Sequence, residues 1–242
     1  MNDTETKLVY ATAADVAAKA LDVTLEQLDA AITERGEAAW ALAGGSSPLG
    51  AYRLLADRDT GIDWSAVTGV IGDERHVPLD DPNSNWGQIS AVLLGAGPTG
   101  VMRQVRPNPA GSVEQFAADY AEQLGALVPA SGIAPRLDVV WLGVGEDGHT
   151  LSLFPGHPDA VETGELVRAV HDSPKPPPER FTLALTALTD VGTAIIFATG
   201  AAKREALARA AADDLPIARV AAHIASHGGS VIWLFDEAAH SG

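Results

Sequence analysis

The residue types best suited to acid–base chemistry are Asp147 and His149, which lie two apart across Gly148. They follow the apolar run 137–144, which has the length and composition of a buried parallel strand. Open α/β sheets bind ligands at the carboxyl ends of such strands, and a tight turn there can present both side chains to one crevice. Taken alone, an Asp-Gly-His triplet is more typical of an exposed turn. It predicts a proton-transfer pair only if binding residues meet it.

The turn Gly44-Gly45-Ser46 is a candidate anion site, because it follows the apolar run 38–43 and precedes Pro48. Proline is favoured in the first turn of a helix, so a helix is predicted to begin here. Backbone N–H groups and a serine hydroxyl at a helix N-terminus can bind a phosphate. The segment matches neither the P-loop nor G-x-G-x-x-G, so nucleotide binding is not indicated. A structural glycine turn with a serine cap explains these residues equally well.

Charged residues also follow the predicted strand 67–71. Arg75 lies there, and its guanidinium can fork onto phosphate or carboxylate oxygens. Its neighbours Asp73 and Glu74 are, on local sequence alone, typical of solvated loop acids. The segment therefore adds a cation to the same predicted edge of the sheet.

Two further polar residues, Asn85 and Lys203, are candidates for binding. Asn85 lies in the turn-rich loop 80–86, where its amide suits sugar hydroxyls, although capping the following helix is the more usual role. Lys203 falls in the first turn of a predicted helix, where the helix dipole disfavours a cation. A lysine that breaks this rule favours ligand binding, whereas a snorkelling surface lysine is the commoner explanation.

The elements that would position these residues alternate along the chain. Strands are predicted at 38–43, 67–71, 137–144, 182–188, 194–199 and 231–235, and helices at 15–31, 49–56, 112–127 and 201–212. This alternation predicts an α/β fold with a mostly parallel sheet covered by helices on both faces. The Pro-rich stretch 173–180 indicates a stiff loop rather than a domain boundary, so residues 1–242 are predicted to form a single domain.

Composition limits the possible functions. With 32 acidic and 16 basic residues the net charge is −16, so the basic surface that nucleic-acid binding needs is missing. A phosphorylated substrate would require a few of these scarce cations to gather in one cleft. The absence of cysteine excludes thiolate chemistry. No apolar stretch approaches the roughly 18 residues of a membrane span, and the acidic N-terminus is unlike a secretory signal, so a cytoplasmic location is expected.

Four of these segments together resemble the 6-phosphogluconolactonases. The similar segments are GGSSP at 44–48, DERHVP at 73–78 with Ser84-Asn85, GVGEDGHTLSLFP at 143–155, and PPPERFTLAL at 176–185 with the later GAAK. The resemblance implies a Rossmann-like fold of the glucosamine-6-phosphate deaminase/ribose-5-phosphate isomerase type. It also implies hydrolysis of 6-phospho-D-glucono-1,5-lactone to 6-phospho-D-gluconate, the second step of the oxidative pentose phosphate pathway.

The deaminases that share this fold are one alternative. They typically have DEY at the positions of 73–75 and FNEP at 152–155, so their catalytic Glu falls on Phe154. An apolar side chain cannot shuttle protons, so Arg75 and Phe154 argue against a glucosamine-6-phosphate deaminase/isomerase. Leu151 stands where the family usually has alanine and is expected to crowd the turn.

A non-enzymatic sugar-phosphate sensor is the second alternative. Such a sensor on this fold would be expected to carry a helix-turn-helix segment for DNA. The acidic charge of this chain disfavours this function, and so does the short stretch before the first predicted core strand at residue 38.

The resemblance implies a binding role for residues from each segment. Phosphate oxygens would bind to the turn Gly44-Gly45-Ser46. The candidate cations around the phosphate are Arg75, Arg180 and Lys203. Asn85 remains a candidate for the sugar hydroxyls. The expected partner is a small sugar phosphate lactone, with no nucleic acid and no membrane, and a monomer is favoured.

The catalytic hypothesis centres on His149 as general base on water. Asp147 would hold its tautomer or orientation, and Asp73 would be a supporting or hydroxyl-binding acid. Either backbone N–H groups of the turn 145–150 or one of the arginines can neutralise the oxyanion. No metal and no cofactor are expected, because the spacing fits no metal signature and lactone hydrolysis requires neither.

Overall fold

The computed structural model describes residues 4–56, 58–94, 97–132, 134–157 and 164–240. Its centre is a seven-stranded sheet in which every pair of neighbouring strands is parallel. In spatial order the strands are β1 (Glu5–Tyr10), β12 (Ser230–Asp236), β11 (Val191–Ala198), β8 (Leu137–Gly143), β2 (Ala38–Leu42), β3 (Val67–Ile71) and β5 (Arg103–Gln104). The predicted mostly parallel sheet is confirmed.

Helices flank this sheet, as predicted. They are α1 (Ala13–Arg35), α2 (Ser46–Ala56), α3 (Asn85–Ile89), α4 (Val113–Leu127), α5 (Arg204–Arg209) and α6 (Pro216–Ser226). Helix α1 contacts β2, β8 and β12, and α6 contacts β11 and β12. The sequence prediction missed α6, although Ile217, Val220 and Ile224 have helical spacing and are buried. No helix of the described residues is long and apolar enough to cross a bilayer.

The strand order reverses between β2 and β8. From β2 the chain moves outward through β3 to β5, and it then returns to β8 on the other side of β2 and moves outward through β11 and β12. Open α/β sheets bind ligands in the crevice at such a reversal, outside the carboxyl ends of the strands. Strand β2 leads into Gly44 and β8 leads into the turn of Asp147 and His149. The topology therefore brings the two main candidate segments to one crevice.

Two predictions about strands were incomplete. The segment 182–188 does not join the main sheet: Arg180–Leu183 forms β10, antiparallel between β4 (Asp73–Arg75) and β9 (Val167–Val170), and Leu185–Leu188 is a 3-10 turn. Strand β1 was missed because it is an exposed edge strand with charged residues and only partly buried apolar ones. A short two-stranded sheet joins β6 (Ala130–Ser131) to β7 (Ala134–Pro135).

Two buried tyrosines fix the points at which the site segments leave the sheet. The hydroxyl of Tyr52 on α2 accepts a hydrogen bond from the N–H of Ala43 (3.0 Å) and donates one to its carbonyl (3.1 Å). The hydroxyl of Tyr120 on α4 makes the same two contacts with Ile71, at 2.6 and 3.1 Å. Each anchored residue is followed by a glycine that opens a candidate segment. The tyrosine hydroxyls thus satisfy the backbone N–H and carbonyl of both residues.

Candidate active site

A pocket of about 370 Å³ lies at the strand reversal. Nine of the predicted site residues line it: Gly44, Gly45, Ser46, Asp73, Arg75, Asn85, His149, Arg180 and Lys203. The tenth, Asp147, contacts the imidazole of His149. Segments far apart in the sequence therefore meet in one cleft.

The turn after β8 holds an acid–imidazole pair. Oδ1 of Asp147 lies 2.5 Å from Nδ1 of His149 and accepts a longer hydrogen bond, 3.3 Å, from the backbone N–H of His149. The turn is closed by hydrogen bonds from the N–H of Gly145 to the His149 carbonyl and from the N–H of Gly148 to the Gly145 carbonyl. A Cβ at Gly145 would overlap the imidazole, and Gly148 has a φ of +82°. Both glycines are therefore required by the geometry of the pair.

Burial favours the neutral form of the imidazole of this pair. It lowers the pKa of His149 below its usual value, although the Asp147 carboxylate opposes the shift, and the charge of Lys175 adds to it. Burial acts to raise the pKa of Asp147, but the contact with His149 and the charge of Lys175 outweigh it, so that pKa is lowered. Because a carboxylate only accepts, Nδ1 carries the proton and Nε2 has the free lone pair. The pair is thus arranged to accept a proton through Nε2.

An apolar ring lies against the imidazole. The centroid of Phe154 is 4.6 Å from that of His149, and Phe154 is only 1% exposed. Leu151 has a φ of +55° and lines the pocket, and its side chain occupies the space that a Cβ on Gly72 would need. The expected crowding by Leu151 is thus accommodated by Gly72, which has no side chain.

The glycine turn before α2 exposes backbone to the pocket. Gly45 has a φ of +99°, and its carbonyl accepts the first helical hydrogen bond, from the N–H of Leu49. The amide of Asn85 packs directly on Gly44, where a Cβ would overlap it. The predicted helix after this turn is present, and it begins at Ser46, three residues before the predicted start at residue 49. Free N–H groups at this N-terminus suit an anion.

Asn85 does not cap the helix that follows it, so the sequence expectation of a capping role was wrong. The cap of α3 is Ser84, whose hydroxyl accepts from the N–H of Gly87. The side-chain amide of Asn85 instead donates to the carbonyl of Asp73 (2.9 Å) and to its carboxylate (3.3 Å). Asn85 therefore joins the glycine turn to the segment after β3.

The two acids of that segment are buried, which corrects the expectation of solvated loop acids. Glu74 is fully buried and accepts hydrogen bonds from the Ser84 hydroxyl and from three backbone N–H groups, those of Arg75, Asn85 and Trp86. Burial raises its pKa although these hydrogen bonds oppose the shift. Asp73 is 8% exposed and accepts from the Ser152 hydroxyl at 2.6 Å. Glu74 holds the loop together, and Asp73 faces the pocket.

Four of the sixteen basic residues line this one pocket, namely Arg75, Lys175, Arg180 and Lys203. Arg75 and Arg180 are paired across β4 and β10. Burial lowers the pKa of Lys203, while Asp236 and Glu146 oppose the shift. A chain of strongly negative charge thus gathers positive charge where an anion would bind.

Arg180 uses most of its hydrogen-bond donors within the protein. Its Nε donates to the carbonyl of Pro177, one terminal nitrogen donates to the carbonyls of Lys175 and Pro176, and the other contacts the Ser152 hydroxyl. It is only 3% exposed. Its guanidinium is therefore better placed to organise the Pro-rich loop than to grip a phosphate.

The sequence reasoning missed Lys175. It treated the Pro-rich stretch as a stiff loop and considered only Arg180 from it, yet the Lys175 ammonium lies 3.6 Å from Oδ1 of Asp147. The sequence did contain a signal for Lys175. It is a cation in a stiff loop just before Arg180, and the chain has few cations. Within the described ranges, no group of three or more His, Asp or Glu residues is arranged to hold a metal ion.

Comparisons with known proteins agree with this geometry. A family model described as glucosamine-6-phosphate isomerases/6-phosphogluconolactonase matches residues 11–233. The chain is 40% identical over 221 residues to the 6-phosphogluconolactonase of Mycobacterium leprae. The aligned region covers 88% of this chain and 87% of that protein. The crystal structure of 6-phosphogluconolactonase from Leishmania guyanensis superposes with a TM-score of 0.85 at 28% identity, covering 98% of each chain.

A monomeric glucosamine-6-phosphate deaminase superposes with a TM-score of 0.76 at 20% identity, covering 97% of this chain and 98% of that one, and it shares the fold. The predicted fold type is therefore confirmed. The chain belongs to the glucosamine-6-phosphate isomerase/6-phosphogluconolactonase family.

Proposed function

We propose that this chain hydrolyses 6-phospho-D-glucono-1,5-lactone to 6-phospho-D-gluconate, the second step of the oxidative pentose phosphate pathway. The observation that carries the proposal is an imidazole held by Asp147, in a pocket that also contains a helix N-terminus and gathered cations; burial favours the neutral form of this imidazole. The family relationship to 6-phosphogluconolactonases supports the same reaction.

The phosphate of the substrate binds at the N-terminus of α2. Backbone N–H groups of Gly44, Gly45 and Ser46 and the Ser46 hydroxyl are suited to its oxygens. Lys203 lines the same pocket and supplies a positive charge that burial makes more effective. Asp73 and Asn85 offer polar atoms to the sugar hydroxyls. In this proposal the C1 carbonyl of the lactone then lies beside His149.

Nε2 of His149 accepts a proton from water as the water oxygen attacks C1. The carbonyl π electrons move to oxygen and give a tetrahedral oxyanion, while Asp147 stabilises the imidazolium that forms. The oxyanion then collapses, the bond between C1 and the ring oxygen breaks, and the imidazolium returns its proton to the departing oxygen. The product is an open-chain carboxylic acid, which ionises in water, and His149 is neutral again.

Arg75 is the cation that best fits the oxyanion. The N–H groups of Gly145 and Gly148 already donate within their turn, and most donors of Arg180 are used by the Pro-rich loop. Arg75 lines the pocket, and its Nε is buried without a hydrogen-bond partner in the described part of the chain. An unpaired donor of this kind favours a charged ligand atom.

The two alternatives are disfavoured by the same pocket. A deaminase needs a proton-shuttling acid where Phe154 packs on His149. A sensor has no use for a proton-accepting pair in the binding pocket. A single domain over residues 1–242, a monomer, a cytoplasmic location and the absence of nucleic-acid or membrane partners remain part of the proposal.

One assay separates the three functions. The protein is incubated with 6-phosphogluconolactone and with glucosamine 6-phosphate, and acid and ammonia release are followed with the spontaneous opening of the lactone subtracted at fixed pH. Acid release that the variant His149→Asn loses supports the lactonase. Ammonia release supports the deaminase, and binding without turnover supports the sensor.

A further inference from the structure

Residues 173–178, called the strap here, bring Lys175 to the pocket and are held mainly by the side chain of Arg180. The guanidinium of Arg180 donates to the carbonyls of Lys175 (2.7 Å), Pro176 (3.2 Å) and Pro177 (2.9 Å). At the base of the strap the N–H of Ser173 donates to the Pro178 carbonyl, at 3.0 Å. Because prolines fix φ, a strap clamped at three consecutive carbonyls has little freedom. A buried arginine is thus used to hold a loop in one position.

The strap carries one charged side chain, that of Lys175, and brings it to the acid of the acid–imidazole pair. Its ammonium lies 3.6 Å from Oδ1 of Asp147, the same oxygen that contacts Nδ1 of His149. The Lys175 backbone is held on both sides, since the Ser173 hydroxyl donates to its carbonyl and accepts from its N–H. The ammonium of Lys175, the carboxylate of Asp147 and the imidazole of His149 therefore contact one another in sequence.

We propose that Lys175 is a positioning residue, which holds the Asp147 carboxylate against His149 and keeps the imidazole in its neutral, proton-accepting form. Its positive charge disfavours a second positive charge on the nearby ring, whereas the charge of Asp147 favours one. Without the lysine, the imidazole beside the carboxylate would be protonated more readily. Its Nε2 would then lose the free lone pair at a higher pH. The carboxylate orients the imidazole, and the lysine limits how strongly the same carboxylate favours the imidazolium.

The other charges around the imidazole do not replace this effect. Asp73 acts on His149 in the same direction as Asp147, favouring the protonated ring. The remaining charged groups that line the pocket are Arg75, Glu146, Arg180 and Lys203. Among the charged groups resolved as shifting the His149 pKa, only Lys175 lowers it. Removing its charge therefore leaves two carboxylates to favour the imidazolium.

The direct experiment is an NMR titration of the histidine imidazoles in the ligand-free protein. The His149 signal is assigned by its loss in His149→Gln. We expect Lys175→Met to raise the His149 pKa by about 0.5 unit or more, Lys175→Arg to restore it, and Lys19→Met, a matched change on α1 outside the pocket, to leave it unchanged. A His149 pKa that is the same in Lys175→Met and wild type overturns the proposal.

The kinetic part of the proposal rests on the lactonase function, and the titration does not. In Lys175→Met the acidic limb of the kcat/KM profile, which reports the free enzyme, should move to higher pH by the same amount as the NMR pKa, with KM at the optimum pH changed less than threefold. A large rise in KM with an unmoved pH profile would make Lys175 a substrate-binding cation instead and would overturn the positioning role. If the wild type and all variants lack lactonase activity but the NMR shift is present, the proposed lactonase function is rejected and the positioning role of Lys175 is not. Circular dichroism and thermal unfolding confirm that the variants fold.

Discussion

Oδ1 of Asp147 lies 2.5 Å from Nδ1 of His149, and this contact decides which imidazole nitrogen is available to the substrate. With Nδ1 occupied, Nε2 is the proton acceptor. Replacing His149 with Ala or Asn should lower kcat by about 10²- to 10⁴-fold, which is the usual contribution of a positioned general base. Background-subtracted acid release measures this effect, and near-normal turnover in either variant would remove His149 from the mechanism.

Asp147→Asn should lower kcat by up to about 10⁴-fold, because the carboxylate holds the imidazole in the tautomer that leaves Nε2 free and stabilises the imidazolium. The amide retains most of the volume but cannot stabilise the imidazolium. KM for the lactone should stay nearly constant, since Asp147 does not line the pocket. A rise in KM with kcat unchanged would show that Asp147 binds substrate rather than orienting the base.

The pH dependence of kcat/KM, which reports groups of the free enzyme, follows from the lowered pKa of His149. The proposed mechanism needs the neutral ring, so the rate should be full above the His149 pKa and should fall as pH falls through it. Because burial lowers this pKa, the half-maximal point should lie below the ordinary histidine value of about 6.5. Stopped-flow rates between pH 4.5 and 8, corrected for spontaneous opening at each pH, provide the measurement. A half-maximal point above 7 would contradict a neutral buried base.

Lys203→Met should raise KM by about 10- to 100-fold with a smaller change in kcat, because a charge-assisted contact to phosphate is present in both the ground state and the transition state. Arg209→Met is a suitable control, since this arginine on α5 lies outside the pocket. By contrast, Arg180→Met should lower kcat and stability together, because the strap loses its clamp. An unchanged KM in Lys203→Met would remove that lysine from the phosphate site.

The tyrosine anchors make a prediction about stability. Tyr120→Phe removes the hydroxyl that satisfies both backbone groups of Ile71, so the free energy of unfolding should fall by about 1–3 kcal/mol. Tyr10→Phe on the edge strand β1 is the control and should have a small effect. Urea denaturation with an unchanged m-value checks this. Equal stabilities of the two variants would show that the double contact is not important.

The sequence predicted the main sheet because its buried parallel strands are continuous apolar runs, as at 67–71 and 137–144. It could not predict β10 as part of a separate sheet, since an apolar run does not reveal its pairing partner. The edge strand β1 lacks a buried apolar run and was missed for that reason.

Within the site, Asp147 and His149 could be recognised because their partner is two residues away. For Lys175 the sequence offered only a weak signal, a scarce cation in a stiff loop, because its partner Asp147 lies in another segment and the clamp that holds the strap comes from Arg180. The burial of Glu74 was equally invisible, since three of its four hydrogen-bond donors belong to the start of α3, ten to twelve residues later. Side-chain pairs that are close in the sequence can be predicted from it, whereas contacts between distant segments depend on the fold.

Phe154 offers the sharpest test of the branch within the family. Its ring packs at 4.6 Å from the imidazole and is buried, so Phe154→Glu would place a carboxylate against His149. The added charge should raise the His149 pKa, favour the imidazolium and lower lactonase kcat at pH 7 by tenfold or more, while the stability falls because a charge is buried. Phe154→Leu keeps the site apolar and should retain most of the activity. Parallel assays of acid and ammonia release test both variants, and undiminished lactone hydrolysis by Phe154→Glu would show that the apolar contact is not needed to keep the base neutral.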